Sequence, residues 1–343
     1  MNKMPRAAML LMIAAFLIIA GCSSGKAPKD ALLNAMQKTG EANSYAAQIT
    51  FGIDQLANPQ AKNSDPAAAI VTGLLQGAIF TADTVYQKEP LRVDMELGVK
   101  AGDLTLNLPL IMDGQKLYVK IPAIPLLQLP ESIIGHYIEV DVEAIAAQQT
   151  SAEALDLEAQ MELTQKVSAI LMKHFDEKTF FRTMKADDVG LPDGIQASQI
   201  VRFKIDERNA AKSTDIMLNK VLPELLDLLA SNDAYLQTAQ LKKEDIQKLK
   251  ADLESKKSDI TDNLKINELS VIGAIKGDYL SYQSGKVDIA FTNALTNQTS
   301  TLAFHFDVKY SGVNEPAAFK NEIPKDAVKL EELTKLLNLP AIQ

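Results

Sequence analysis

Apolar and polar residues alternate over long stretches of this chain, and the alternation predicts strands. Tyr45, Ala47, Ile49, Phe51 and Ile53 alternate with Ala46, Gln48, Thr50, Gly52 and Asp54, the pattern of a strand with one buried face. Leu91, Val93, Met95, Leu97 and Val99 then alternate with Arg92, Asp94, Glu96, Gly98 and Lys100. Leu104, Leu106, Leu108 and Leu110 form the next apolar row, Asp113-Gly114 marks a tight turn, and Leu117, Val119 and Ile121 follow. Together residues 77–121 predict an antiparallel meander with one apolar and one polar face. Residues 136–141 and, less regularly, 179–186 and 197–205 add strands. A last group is predicted at 264–275, 278–283, 285–293 and 300–310.

Between these runs the period changes to that of helices. Asp30 opens a helix to about Gly40 with Leu32, Leu33 and Met36 on one face. Residues 152–175 place Leu157, Met161, Val167, Ile170 and Leu171 near one stripe. The leucine-rich segment 213–232 is helical, with Pro223 as a kink or restart. Residues 241–260 hold 11 charged residues in 20, including the i,i+4 pairs Glu244–Lys248 and Asp252–Lys256, which predicts a solvated surface helix. A closing helix is expected from Asp326, with Val328, Leu330, Leu333, Leu336 and Leu337 on one side. Two segments resist assignment. Residues 55–75 read as a loop with a short helix or apolar flap, and residues 121–135 are rich in both proline and Ile or Leu. Such an apolar loop must bury itself or cover something apolar. Separated strand runs sharing one apolar face suit an α+β fold in which helices pack on a curved antiparallel sheet.

The N-terminus changes the picture from a globular domain alone to an exported, anchored one. Lys3 and Arg6 precede an apolar run from Ala7 to Ala20, 14 residues long. As a helix it spans about 21 Å, short of the roughly 30 Å bilayer core, so a signal peptide over 1–21 is favoured over a stable membrane span. It ends Ile19-Ala20-Gly21-Cys22, which resembles the bacterial lipoprotein signal box. That resemblance implies cleavage before Cys22 and a diacylglycerol on its sulfur, with anchorage outside the cytoplasm. Residues 22–29 form a short tether, and residues 30–343 form the domain, with a helical insertion around 208–260. Cys22 is the only cysteine, so no disulfide forms within the chain. After the leader, 33 basic residues face 44 acidic ones, which argues against nucleic acid as a partner and against broad adhesion to anionic surfaces.

The element order resembles the LolA/LppX-type lipoproteins. The likeness rests on the helix-to-strand segment 31–51, on the hairpin 113–122 followed by Tyr137–Asp141, and on the leucine-rich helix after a polar strand. It implies a half-barrel whose concave face is crossed by helices over an apolar cavity, with no catalytic residue.

Enzymatic signals are sparse. His136, His174 and His305 fall on different elements, His305 on the polar side of its strand. Asp187-Asp188 lacks the spacing of a calcium loop, and Asn297-Gln298-Thr299 matches a glycosylation triplet that carries little weight in a bacterial lipoprotein. No catalytic residue, metal ligand or cofactor is expected. The candidate ligand cavity is lined by Val93, Met95, Leu97, Leu104, Leu106 and Leu108, with Leu126 and Leu127 from the proline-rich loop. Eleven methionines and no tryptophan suit a compliant aliphatic pocket. The expected function is non-enzymatic binding or carriage of a lipid or other apolar ligand. The alternative is a structural, interaction or sensor lipoprotein of the cell envelope in which the same residues fill a core.

Overall fold

The alternating segments become twelve strands of one sheet. The computed structural model describes residues 26–57, 72–123, 130–131, 133–142, 157–294, 296–330 and 332–333. Cys22, the proline-rich residues Leu126 and Leu127, and most of the end of the expected closing helix lie outside them. The chain opens with helix α1 (Pro28–Gly40) and runs through β1 (Ser44–Ala57), β2 (Ile79–Gln87), β3 (Arg92–Ala101), β4 (Leu104–Asp113), β5 (Lys116–Lys120) and β6 (Tyr137–Asp141). Helices α2 (Leu157–Lys173) and α3 (Glu177–Phe180) lead to β7 (Phe181–Met184) and β8 (Gln199–Asp206). Then come α4 (Ala210–Ile216), a π-helical turn at Met217–Val221, α5 (Leu222–Ala230), α6 (Asp233–Thr238) and α7 (Lys243–Asn263). Strands β9 (Leu264–Lys276), β10 (Tyr279–Asn293), β11 (Gln298–Ser311) and β12 (Val328–Lys329) complete the chain.

The strands lie in the order β12-β6-β5-β4-β3-β2-β1-β11-β10-β9-β8-β7, forming a curved, unclosed α+β half-barrel. β1 joins the two strand runs, pairing with β2 on one side and β11 on the other. Every pairing is antiparallel except that of β12, which adds parallel to β6. Val328 and Lys329, expected in a helix, therefore sit in a strand, because the open edge of β6 offers their backbone a ladder. Likewise, the two strands expected at 278–293 are one. Gly285 pairs with Val271 and Phe306 inside this strand, and a Cβ there would collide with the Phe306 ring on β11.

Register decides which side chains share a face, since directly opposed residues in an antiparallel pair point the same way. Ile49 opposes Val308 and Ala82; Ala82 opposes Leu97; Leu97 opposes Leu108. In the other direction Val308 opposes Gln283, which opposes Gly273, which opposes Val201. One mostly apolar face thus runs from β4 to β8. The helices pack on β7–β10. There Leu32 and Ala35 of α1, Ile170 and Met172 of α2 and Phe175 meet Phe181, Val201, Phe203 and Leu280 in the main core. Phe175 centres an aromatic cluster, 4.9 Å from the Phe180 ring and 5.2 Å from Phe203. Gly273 lets α1 come down onto β9, because a Cβ there would overlap Leu32.

Two polar links fix the layers. β10 bulges between Leu280 and Tyr282, which takes the Leu280 amide out of the ladder. That amide donates to Thr39 Oγ1 at 2.8 Å, and the hydroxyl donates to the Ala35 carbonyl at 2.7 Å. On the sheet's outer face the chain after β11 crosses β3. Asp94, on the side opposite the leucines, is 4% exposed and accepts from the Lys320 and Asn321 amides at 2.8 and 2.7 Å and from Asn321 Nδ2 at 2.6 Å.

The charged helix forms as expected, with Ile246 and Leu253 buried. Asp252–Lys256 pairs at 3.6 Å. The expected Glu244–Lys248 pair is not among the ion pairs of the described residues; instead, Lys250 reaches Asp227 of α5 at 2.5 Å.

Candidate functional site

Among the described residues, helical cover stops partway across the apolar face. The main core ends at Tyr310 on β11. Beyond it Phe51, Phe80, Met95, Leu97, Val99, Leu106 and Leu108 continue the same face but are only half-buried. At the boundary, where α1 and α2 lift away from β1, β10 and β11, lies a cavity of about 510 Å³. Leu33, Met36, Ala169 and Leu280 line it beside Tyr45 and Tyr310, with Gln165, Lys166 and Gln283 among the polar groups.

Two tyrosines report how dry this boundary is. Burial, and secondarily the Tyr45 hydroxyl nearby, push the Tyr310 phenol up to about 12. Burial raises Tyr45 as well, with a smaller push from Tyr86. Both hydroxyls therefore stay neutral at physiological pH, as poorly solvated phenols do. Their rings meet edge to face at 5.9 Å, and Tyr45 lies 5.0 Å from Tyr86.

α2, one wall of the cavity, is held from behind. Tyr235 of α6 donates to Glu162 at 2.6 Å and accepts from Lys166 at 2.9 Å. Hydrogen bonds from Tyr235 and then Lys166 hold the Glu162 carboxyl below its usual range. Glu224 of α5 accepts from Lys173 at 2.7 Å and meets His174 Nε2 at 2.6 Å. Glu224 lies in the first turn of α5, directly after the π-helical turn and Pro223. The wall is thus clamped at both ends, whereas the sheet opposite presents loosely covered apolar side chains.

The six sequence-selected residues on β3 and β4 share this face. Met95 opposes Leu110, Leu97 opposes Leu108, Val99 opposes Leu106 and Ala101 opposes Leu104, with Val93 opposite Met112. None lines the 510 Å³ cavity, which is built from α1, α2, β1, β10 and β11. Leu126 and Leu127 fall outside the described residues. Tyr45 and Tyr310 went unrecognised in the sequence because each reads as one more apolar position of a strand.

Other candidate groups are dispersed. His305 pairs with Asp54 at 2.8 Å on the outer face, and Gly52 leaves room for its ring. Asp187 and Asp188 sit exposed in a single 3₁₀ turn. Among the described residues no group of three His, Cys, Asp or Glu side chains is placed to hold a metal ion. No described helix is long and apolar enough to cross a membrane.

No family model matches the sequence, and no curated protein matches it. Among solved structures, the Mycobacterium tuberculosis lipoprotein LppX aligns over 86% of this chain and 98% of its own, at 10% identity and a TM-score of 0.32. A structure of lipovitellin described for its lipid–protein interactions aligns over 83% of this chain and 28% of its own, at 8% identity and a TM-score of 0.24. Scores this low do not establish membership of a family and carry no argument about activity.

Proposed function

We propose that the protein is a non-enzymatic lipoprotein, anchored outside the cytoplasm through a lipid on Cys22, that holds a lipid or similar apolar molecule against the uncovered part of its sheet. One observation carries the reading: an apolar face that, among the described residues, helices cover on one side only, with the 510 Å³ cavity where that cover ends. A large apolar surface rimmed by polar groups marks a binding site in a water-exposed protein. Aliphatic side chains with neutral tyrosines supply burial energy of about 25 cal/mol per Å² and little head-group selectivity. Lys166, Gln165 and Gln283 stand where a polar end of such a molecule meets water.

The test is native mass spectrometry and solvent extraction of the full chain purified from membranes of a producing bacterium. Copurifying acyl lipid, displaced by a fluorescent fatty-acid analogue, is the expected result. If no lipid copurifies and the analogue does not bind, the ligand-holding role fails. A diacylglycerol mass on Cys22, absent from Cys22→Ala, tests the anchor separately.

A further inference from the structure

The end of the sheet at β7 and β8 concentrates positive charge in a chain whose net charge is −9. Arg182 and Arg202 stand directly opposite one another in the β7–β8 ladder. Their neighbours Phe181, Val201 and Phe203 point into the core, so both guanidinium groups project from the outer face. Like charges directly opposed destabilise a sheet unless something neutralises them. Neither arginine, nor Lys178 nearby, has an ion-pair partner among the described residues. These three cations, with Lys204, Arg208 and the single carboxylate Asp206, line a depression of about 270 Å³. The nearby carboxylates pair with cations other than Arg182, Arg202 and Lys178. Asp206 is bound by Arg208 at 2.6 Å, Glu268 sits 3.5 Å from Lys204 and 3.4 Å from Lys286, and Asp176 is bound by Lys212 at 2.6 Å.

The chain enters the fold along the same edge of the sheet, at the opposite end of β8 from Lys204 and Asp206. Gln199, first residue of β8, donates to the Lys26 carbonyl at 3.0 Å. Lys26 also meets Asp278 at 3.1 Å, and Lys29 donates to the Phe175 carbonyl at 2.8 Å, which pins this segment. Arg202 is three residues along β8 from Gln199, about 10 Å at strand rise. Cys22 is four residues before Lys26, at most about 14 Å of extended chain. If Cys22 carries the anchor, as proposed above, the sheet edge that carries Arg182 and Arg202 is tethered close to the membrane.

We propose that this depression seats the phosphate head group of an anionic phospholipid in the anchoring membrane and so orients the domain on the bilayer. Arg182 and Arg202 offer paired N–H donors to phosphate oxygens, the bidentate geometry that lysine lacks. The negative bilayer surface supplies the counter-charge the fold omits, and adhesion is confined to this end because the rest of the chain is acidic.

Vesicle co-sedimentation of the full chain carrying Cys22→Ala tests this without any acyl anchor. The leader, with Lys3 and Arg6, adds the same anionic preference to every variant, so the readout is how far substitution changes the difference between phosphatidylglycerol-containing and pure phosphatidylcholine vesicles. Preference for the anionic vesicles is expected. Arg182→Gln with Arg202→Gln should weaken that preference about 25-fold, at about fivefold per cation, with an unchanged circular dichroism spectrum. The pair Lys256→Gln with Lys257→Gln, on the charged helix α7, should leave it unchanged. Equal binding to both vesicles, or equal loss from the two double variants, overturns the proposal. Selective displacement by inorganic phosphate, against chloride at matched ionic strength and without any anionic-vesicle preference, assigns the depression to a free oxyanion and also overturns it. Because the acyl anchor is absent throughout, failure here is distinct from failure of the Cys22 reading.

Discussion

Thr39→Val is a small change at a point where the fold depends on one hydroxyl. Thr39 is 3% exposed, and its Oγ1 receives the amide that the bulge in β10 frees from the ladder. Valine keeps the β-branched shape and fills the same volume, so neither cavity nor altered helix propensity enters. What changes is that the Leu280 amide loses its acceptor while staying buried. An orphaned buried donor costs about 1–3 kcal/mol, and the Ala35 carbonyl keeps its own helical partner, so about 2 kcal/mol is expected. Urea unfolding followed by circular dichroism measures the loss as a lower midpoint with unchanged slope. Hydrogen exchange locates it, since the Leu280 amide should lose protection ahead of its strand neighbours. Thr39→Ser should restore most of the stability. A loss below about 0.5 kcal/mol, or serine as damaging as valine, would refute the argument that this bond ties α1 to the sheet.

Four further outcomes follow from named contacts. Asp94→Ala leaves the Lys320 and Asn321 amides without their acceptor; a stability loss of about 3 kcal/mol and earlier proteolysis within residues 312–327 are expected. Gly273→Ala puts a methyl into Leu32 and should cost about 1–3 kcal/mol by urea unfolding, relieved in part by Leu32→Ala in the same chain. For Tyr310, the unfolded phenol ionises near 10 and the folded one at about 12, so stability is flat below pH 10 and falls from there toward 12; Tyr310→Phe should make that alkaline decline shallower in a pH series of melts. Leu97→Gln with Leu108→Gln, a directly opposed half-buried pair, should weaken fatty-acid analogue binding at least about tenfold, given about 1.5–3 kcal/mol per buried leucine, while placing no like charges opposite each other in the sheet.

The period of hydrophobicity was enough to place most elements. Side-chain direction reverses at every residue of a strand, so β1, β3, β4, β5 and β11 and their inward rows were legible without any tertiary information. The Asp113-Gly114 turn was equally plain, because its geometry needs the positive φ that Gly114 adopts. The Ile19–Cys22 segment is where the proposed anchorage rests, on chemistry that does not depend on the fold.

Alternation tells which residues share a face but not what, if anything, covers it. Asp94 reads as a solvent-facing carboxylate, yet it is buried because the segment after β11 crosses that spot and closes on it. Leu97 and Val201 read alike as inward residues. Helix cover leaves the first half-buried and the second fully buried, and only packing between distant segments sets that difference. The same holds for Arg182 and Arg202, two scattered cations until the β7–β8 register sets them opposite each other. Local patterning comes from backbone geometry, which each residue carries with it. Cover, cavity and charge pairing come from long-range contacts, and no short window of this chain contains both partners.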